Sequence, residues 1–324
     1  MQLAPTPRDE LLHDGSATLL RFRGQGRGES PGVPVLLVPS LINRWYVLDL
    51  RRQASLVEAL VTAGLDVYCV DWGVPRDEDR HLAWDDVLAR LARMVRAVKR
   101  ASGHRQVGLL GYCMGGTLAA IHAACHSDEI AGLVNLLGPV DFSEGGRLRE
   151  MADSRWFDAA AVGDAGNVAA HQMQGSFVML RPTGALTKWL SFAERALDPG
   201  EREAFLALET WAGDNIPFPA AAYVTYIKEL YQENRLISGH HWVRGQRVEL
   251  GRIRCPVLVV TADKDAICPP RAALALLHHV GSTSKRTASV PGGHVGAVVG
   301  PLASQVLYPA IVDFLKVDAC SSIN

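Results

Sequence analysis

Short apolar runs alternate with amphipathic stretches along the first part of the chain. The runs at 34–39 and 65–71 are almost entirely apolar, whereas residues 84–102 carry apolar positions at three- and four-residue spacing. Nearly continuous apolar runs are typical of strands buried on both faces, and the wider spacing is typical of an amphipathic helix. The same criteria predict further strands at 17–22, 106–110 and 131–137, and further helices at 55–63 and from just after residue 113. This alternation predicts an α/β protein with a mostly parallel, doubly wound sheet.

The pattern changes after residue 139 and returns near residue 255. Residues 141–250 contain helical stretches without a clear run of buried strands, and they are rich in aromatic side chains: Trp156, Phe157, Trp189, Phe192, Trp211, Tyr223, Tyr226 and Tyr231. Strands are predicted again at 255–262 and 286–290, with helices at 271–280 and 302–316. We therefore predict a core domain of residues 1–140 and 251–324. A mostly helical cap of residues 141–250 would lie over the carboxyl ends of the strands, where such sheets bind ligands.

Composition excludes several classes of function. The chain has 33 basic and 34 acidic side chains and a net charge of −1, which gives no support to a nucleic-acid partner. No stretch approaches the roughly 18 apolar residues of a membrane span, and the first ten residues lack the features of a signal peptide. The six cysteines include no CxxC pair. We expect a cytoplasmic protein with reduced thiols and no membrane span.

The most specific local signal surrounds Cys113. The segment 111–116 reads Gly-Tyr-Cys-Met-Gly-Gly and lies between a predicted strand and a predicted helix. This is the G-x-S-x-G nucleophile elbow with cysteine in the serine position. Gly111 and Gly115 remove β-carbons that would collide in so sharp a turn, and the amino terminus of the helix favours a thiolate. Cys113 is therefore the predicted nucleophile; a buried cysteine beside packing glycines is the structural alternative.

A cysteine nucleophile needs a base, and the base needs an orienting acid. Asp265 and His294 follow the two late predicted strands, 29 residues apart and in the order of an α/β hydrolase. His294 stands among glycines, which suggests a mobile, exposed loop. Asp265 is preferred as the acid because Asp-x-Ile-x-Pro places it in the loop beyond the strand, and Asp263 is the reserve candidate.

Two backbone N–H groups should form the oxyanion hole. The residue after the nucleophile, Met114, is expected to supply one, and Leu41 or Ile42 in the loop after strand 34–39 the other. His122 and His126 are four residues apart with Cys125 between them, a spacing that could bind zinc, but no fourth ligand accompanies them. We predict no metal and no cofactor.

Several segments together resemble polyhydroxyalkanoate synthases. They are residues 41–50 (LINRWYVLDL), 71–75 (DWGVP), 111–116 (GYCMGG) and 231–237 (YQENRLI), together with Trp211. The similarity extends from about residue 30 to 315 and is greatest to the short catalytic subunits of the two-subunit synthases. It implies an α/β-hydrolase fold with a helical cap insertion, and a triad at positions matching Cys113, Asp265 and His294.

The resemblance also implies substrates and partners. The reaction would transfer the acyl group of a 3-hydroxyacyl-coenzyme A thioester to a growing polyester, with a thioester on Cys113 as intermediate. A second, separately encoded subunit, a homodimer and a place at the surface of polyester granules follow from the same resemblance.

Two other functions remain open at this point. A hydrolase with a cysteine nucleophile, such as a polyester depolymerase, a thioesterase or a dienelactone hydrolase, needs the same triad and differs mainly in the access of water. Dienelactone hydrolases are shorter and lack so large an insertion. A non-catalytic protein that has kept the fold is the third reading.

Overall fold

An eight-stranded sheet forms the centre of the computed structural model. The structure describes residues 1–24, 32–180 and 197–321, and of residues 320 and 321 it describes the backbone alone. The sheet order is β1-β2-β6-β3-β7-β8-β11-β12. Its strands are β1 (Arg8–Asp14), β2 (Ala17–Phe22), β3 (Val35–Val38), β6 (Val67–Asp71), β7 (Val107–Tyr112), β8 (Ile130–Leu136), β11 (Val257–Ala262) and β12 (Lys285–Val290). Strands β3, β6, β7, β8, β11 and β12 run parallel, and β2 pairs antiparallel with both neighbours. The predicted mostly parallel sheet is confirmed.

Helices cover both faces of the sheet. They are α1 (Leu56–Thr62), α2 (Trp84–Ser102), α3 (Met114–Cys125), α9 (Pro270–His279), α10 (Gly296–Val299) and α11 (Tyr308–Ser321). Helices α4 to α8 belong to the insertion and are given below. Successive side chains of a strand point to opposite faces, so β3 contributes Leu36 to the core under α2 and α3 and Leu37 to the core under α1 and α11.

Local signals set the helix ends. The Ser55 side chain accepts a hydrogen bond from the Glu58 N–H at 2.8 Å and so caps the start of α1. Helix α2 ends where Gly103 adopts a left-handed conformation with φ of 73°. These caps explain why the sequence pattern located both helices within one residue of their observed bounds.

The insertion is mainly helical where it is described. It contains α4 (Gly146–Met151), α5 (Ala159–Asp164), α6 (Ala170–Leu180), α7 (Pro199–Gly213) and α8 (Ala220–Thr225), and a π-helix continues α8 over Tyr226–Gln232. A short hairpin of β9 (Trp242–Val243) and β10 (Gln246–Arg247) was not expected, and β4 (Asp49–Arg51) pairs with β5 (Ala54–Ser55) in the core. Trp189 and Phe192 lie outside the described residues. The boundaries 1–140, 141–250 and 251–324 stay a prediction.

Candidate active site

Cys113 occupies a sharp turn between strand β7 and helix α3. Its backbone has φ of 57° and ψ of −128°, a conformation that a non-glycine residue rarely adopts. A β-carbon on Gly111 would lie 2.2 Å from the Gly115 carbonyl oxygen, and one on Gly115 would lie 1.9 Å from the Val38 carbonyl oxygen. Only glycine fits at either position, so the two glycines allow the turn that lifts the Cys113 sulfur above the sheet.

Asp265 and His294 meet across two loops at the carboxyl ends of β11 and β12. His294 Nδ1 lies 2.7 Å from Asp265 Oδ2. The other carboxylate oxygen, Oδ1, accepts the N–H groups of Ile267 and Cys268 at 2.8 and 2.9 Å. The reserve candidate Asp263 instead accepts the Gly292 N–H at 2.6 Å and so fixes the histidine loop. The geometry pairs the histidine with Asp265.

The expectation that His294 lies on an exposed loop is wrong. The side chain is 7% exposed, and its ring stacks on Tyr112 with 5.3 Å between centroids and 28° between planes. Tyr112 is the residue before Cys113, so the stacking holds the imidazole beside the elbow. The neighbouring glycines serve the tight loop and do not expose the histidine.

Burial and charge act in opposite directions on His294. Burial alone lowers the pKa of the imidazole, but its interactions with Cys113 and Asp265 outweigh burial and raise that pKa to about 10. Nε2 is buried without a well-aligned hydrogen-bond partner among the described residues. Such alignment is often incomplete without substrate. The site therefore favours a protonated histidine next to the sulfur of Cys113.

Of the three residues expected in the oxyanion hole, two line the cavity that contains Cys113 and one does not. Met114 is the first residue of α3, where the N–H has no intrahelical acceptor. Met114 and Ile42 line the same cavity as Cys113. Leu41 is buried and does not line this cavity. Met114 and Ile42 thus lie at the cavity over Cys113 and Leu41 does not, and the assignment of the oxyanion hole stays a prediction.

A cavity of about 170 Å³ opens over Cys113. Its floor comes from the elbow and from the loops after β3, β8 and β11, and most of its walls come from the insertion. The lining is largely apolar, and its polar side chains from the insertion are Ser176, Tyr223, Tyr226 and Tyr231. Sequence reasoning assigned these side chains no role in chemistry, because the π-helix that carries two of them leaves no periodic signal.

The histidine pair on α3 lies apart from this site. The rings of His122 and His126 are 4.7 Å apart, and His122 is buried with its pKa lowered to about 3 by desolvation and nearby positive charge. Within the described ranges, no group of three or more histidine, cysteine or acidic side chains has the arrangement of a metal site. None of the described helices combines the length and apolar character needed to cross a membrane.

Comparison with known proteins places this chain in a family. A family model described as the alpha/beta hydrolase fold matches residues 33–301. The poly(3-hydroxyalkanoate) polymerase subunit PhaC of Allochromatium vinosum is 33% identical over 320 residues, which cover 96% of this chain and 88% of that protein. The PhaC subunit of Synechocystis is 32% identical, and the match covers 98% of this chain and 86% of that protein. The PhaC subunit of Haloarcula marismortui is also 32% identical, and the match covers 97% of this chain and 68% of that protein.

Solved structures agree on the fold. A hydrolase from Pseudomonas aeruginosa has a TM-score of 0.56 at 17% identity, with 95% of this chain and 98% of that chain covered. The enol-lactonase from Burkholderia xenovorans has a TM-score of 0.56 at 15% identity, with 95% and 99% covered. The expected α/β-hydrolase fold is confirmed, and by sequence the chain belongs to the PhaC family of poly(3-hydroxyalkanoate) polymerase subunits.

Proposed function

We propose that the chain is an acyltransferase that polymerises 3-hydroxyacyl-coenzyme A thioesters into polyhydroxyalkanoate through a thioester on Cys113. The carrying observation is the hydrogen bond between His294 and Asp265 beside a strained cysteine that lines a largely apolar cavity. The names of the related subunits support the substrate class. Cys113, His294 and Asp265 form the catalytic triad in this proposal.

In the first half-reaction, the Cys113 thiolate attacks the carbonyl carbon of the incoming thioester. The tetrahedral oxyanion accepts hydrogen bonds from the N–H groups of Met114 and Ile42. The bond to the coenzyme A sulfur breaks, and the His294 imidazolium gives that sulfur its proton. Free coenzyme A leaves, and the acyl group stays on Cys113.

In the second half-reaction, His294 acts as a base. It takes the proton from a 3-hydroxyl group, whose oxygen attacks the carbonyl carbon on Cys113. The carbon–sulfur bond breaks, an ester bond forms, and the Cys113 thiolate is regenerated beside the imidazolium. Asp265 holds the imidazole in the tautomer with hydrogen on Nδ1 and stabilises its cation.

A cysteine suits synthesis better than a serine would. A thioester on Cys113 keeps the activation of the coenzyme A thioester, so ester formation by an alcohol stays downhill. A serine acyl-enzyme would already be an oxoester and close in energy to the product. Water must be kept from the intermediate, and the apolar walls that the insertion supplies are suited to that exclusion.

Further proposals concern partners. The relatives are described as subunits, which supports a second subunit that acts with this chain. A homodimer and a location at the surface of polyester granules are proposed on the family resemblance.

A product assay tests the proposal and separates it from hydrolysis. Purified protein is incubated with 3-hydroxybutyryl-coenzyme A, with and without a candidate second subunit, and coenzyme A release is followed together with the products. Insoluble polymer is the expected product. Release of free 3-hydroxybutyrate alone would assign the chain to the hydrolases, and absence of coenzyme A release under both conditions would contradict the proposal.

A further inference from the structure

Two tyrosines of the insertion face the nucleophile. Tyr226 and Tyr231 line the cavity together with Cys113, and each is 6% exposed. Burial raises the pKa of both phenols, and negative charge on the Cys113 sulfur raises both further. Both side chains therefore lie at the same cavity as the sulfur.

The π-helix brings these two side chains to the same side. In a regular α-helix, residues five apart point about 140° away from each other. The segment Tyr226–Gln232 is a π-helix, whose wider turn closes at the fifth residue. The two rings accordingly lie 5.5 Å apart at 72°, and both make edge contacts with Phe142. The irregular turn thus creates a pair of phenols at one wall of the cavity.

Hydrogen bonds anchor the residues that follow the pair. After Tyr231, Gln232 Nε2 donates to the carbonyl oxygens of Ala152 and Phe157 at 2.8 and 3.0 Å. Asn234 then donates from Nδ2 to Asp141 at 2.9 Å and accepts the Phe142 N–H at 2.9 Å. These bonds anchor the end of the π-helix that carries the two phenols, and they give Gln232 and Asn234 a structural role.

The hydroxyl groups have unused bonding capacity. The rings of Tyr226 and Tyr231 lie 5.5 Å apart, and each phenol can both donate and accept a hydrogen bond. A bond shared between the two hydroxyl groups would use one of the two protons, so the pair would still have one donor for a ligand. A 3-hydroxyacyl chain brings one hydroxyl group into a largely apolar cavity, where leaving it unpaired is unfavourable.

We propose that the hydroxyl pair of Tyr226 and Tyr231 binds the 3-hydroxyl group of the acyl chain on Cys113 and thereby selects 3-hydroxyacyl over unsubstituted acyl thioesters. This inference rests on the proposed function. It assigns the pair a role in specificity and none in the bond-making steps. The ligand is recognised by one hydrogen bond beside the nucleophile, in a pocket whose lining is largely apolar.

The test compares two thioesters in a single turnover. Butyryl-coenzyme A can acylate Cys113 but lacks the hydroxyl group. The variants are Tyr226→Phe, Tyr231→Phe and the double variant, which keep the rings that pack on Phe142. The acylation rate is measured by intact-protein mass spectrometry with 3-hydroxybutyryl- and butyryl-coenzyme A. Tyr68→Phe is the control. Tyr68 lies on strand β6, its hydroxyl group donates to Asp66 at 2.8 Å, and it does not line the cavity.

The expected result is a change in the ratio of the two rates. Acylation by the 3-hydroxy substrate should fall about five- to tenfold in the double variant, the effect of one lost hydrogen bond, and acylation by butyryl-coenzyme A should stay within about twofold. Equal losses for both substrates, or no loss for either, would overturn the inference. If the unchanged protein is not acylated by the 3-hydroxy substrate, the proposed function itself fails.

Discussion

One residue holds the backbone strain on which the site depends. A cysteine with φ of 57° costs about 1–3 kcal/mol relative to a relaxed conformation. The surrounding structure maintains it: the Cys113 N–H donates to the Leu136 carbonyl oxygen at 2.9 Å, and its own carbonyl accepts the Gly116 N–H at 2.8 Å. The strain directs the sulfur into the cavity, so it belongs to the chemistry of the site.

Replacing the nucleophile tests its role directly. Cys113→Ala should lower coenzyme A release from 3-hydroxybutyryl-coenzyme A by roughly 10⁴-fold or more, since no thioester can form. Cys113→Ser should retain little polymerisation because its oxoester intermediate lacks the activation. Circular dichroism should show the same fold in both variants. Robust turnover by the alanine variant would remove Cys113 as the nucleophile.

The raised pKa of His294 predicts a pH dependence of stability. The folded protein holds the proton more tightly than the unfolded chain, whose histidine has a pKa near 6.5. The contribution of the charged pair is therefore complete below about pH 6.5 and is lost as pH rises through about 10. Asp265→Asn should reduce the free energy of unfolding by about 2 kcal/mol at pH 6 and by less at pH 10, measured by urea denaturation.

A neighbouring carboxylate provides the matched control for that experiment. Asp263 accepts the Gly292 N–H, and the imidazole pairs with Asp265 instead, so the loss caused by Asp263→Asn should not follow the titration of His294. If Asp265→Asn lowers the free energy of unfolding equally at pH 6 and pH 10, the ionised pair does not stabilise the fold.

At the level of elements, the sequence pattern predicted what depends on local periodicity. Strands β3, β6, β7 and β8 and helix α2 were located because each buries a continuous face. Strand β1 was missed because its sequence, RDELLHD, is mostly polar and lies exposed at the sheet edge. The π-helix and the hairpin of β9 and β10 depend on tertiary contacts and carry no periodic signal.

The candidate site shows the same division. The sharp turn at Cys113 was predictable because the elbow glycines are a local steric requirement. The burial of His294 was not, since it depends on the ring of Tyr112 and on loops that meet only in the folded chain. Ile42 and Leu41 were not separable from sequence because backbone N–H groups act there, whatever the side chain.

Two glycine-to-alanine variants should have opposite effects. Gly115→Ala places a β-carbon 1.9 Å from the Val38 carbonyl oxygen, so the elbow must shift, at a cost of roughly 3 kcal/mol or more in the free energy of unfolding. Gly175→Ala lies on exposed helix α6 with nothing within 4 Å, and it should stabilise the protein by up to about 1 kcal/mol. Thermal denaturation compares the two. A tolerated alanine at position 115 would contradict the described packing.

For the whole molecule, the junction between insertion and core adjoins the candidate active site. Trp211 Nε1 donates to the Arg44 carbonyl oxygen at 2.9 Å, and the Tyr46 hydroxyl donates to Asp214 at 2.7 Å. The Ile216 N–H donates to the carbonyl oxygen of Ile42 at 3.3 Å. The insertion therefore binds the same loop that is proposed to supply an oxyanion donor, so closure of the cavity and assembly of the oxyanion hole are structurally linked.

This link predicts a change in product when the junction is weakened. Trp211→Phe keeps a buried ring but leaves the Arg44 carbonyl without its donor, which should cost about 1–2 kcal/mol. A looser insertion admits water to the acyl group on Cys113, so the share of free 3-hydroxybutyrate among the products should rise severalfold over polymer, as measured by chromatography. Trp156→Phe is the control, because Trp156 is 62% exposed and its Nε1 donates within the insertion, to the Glu150 carbonyl oxygen at 3.0 Å. An unchanged product ratio in Trp211→Phe would mean that water is excluded by other means than this contact, and the insertion would then serve mainly to bind the acyl chain.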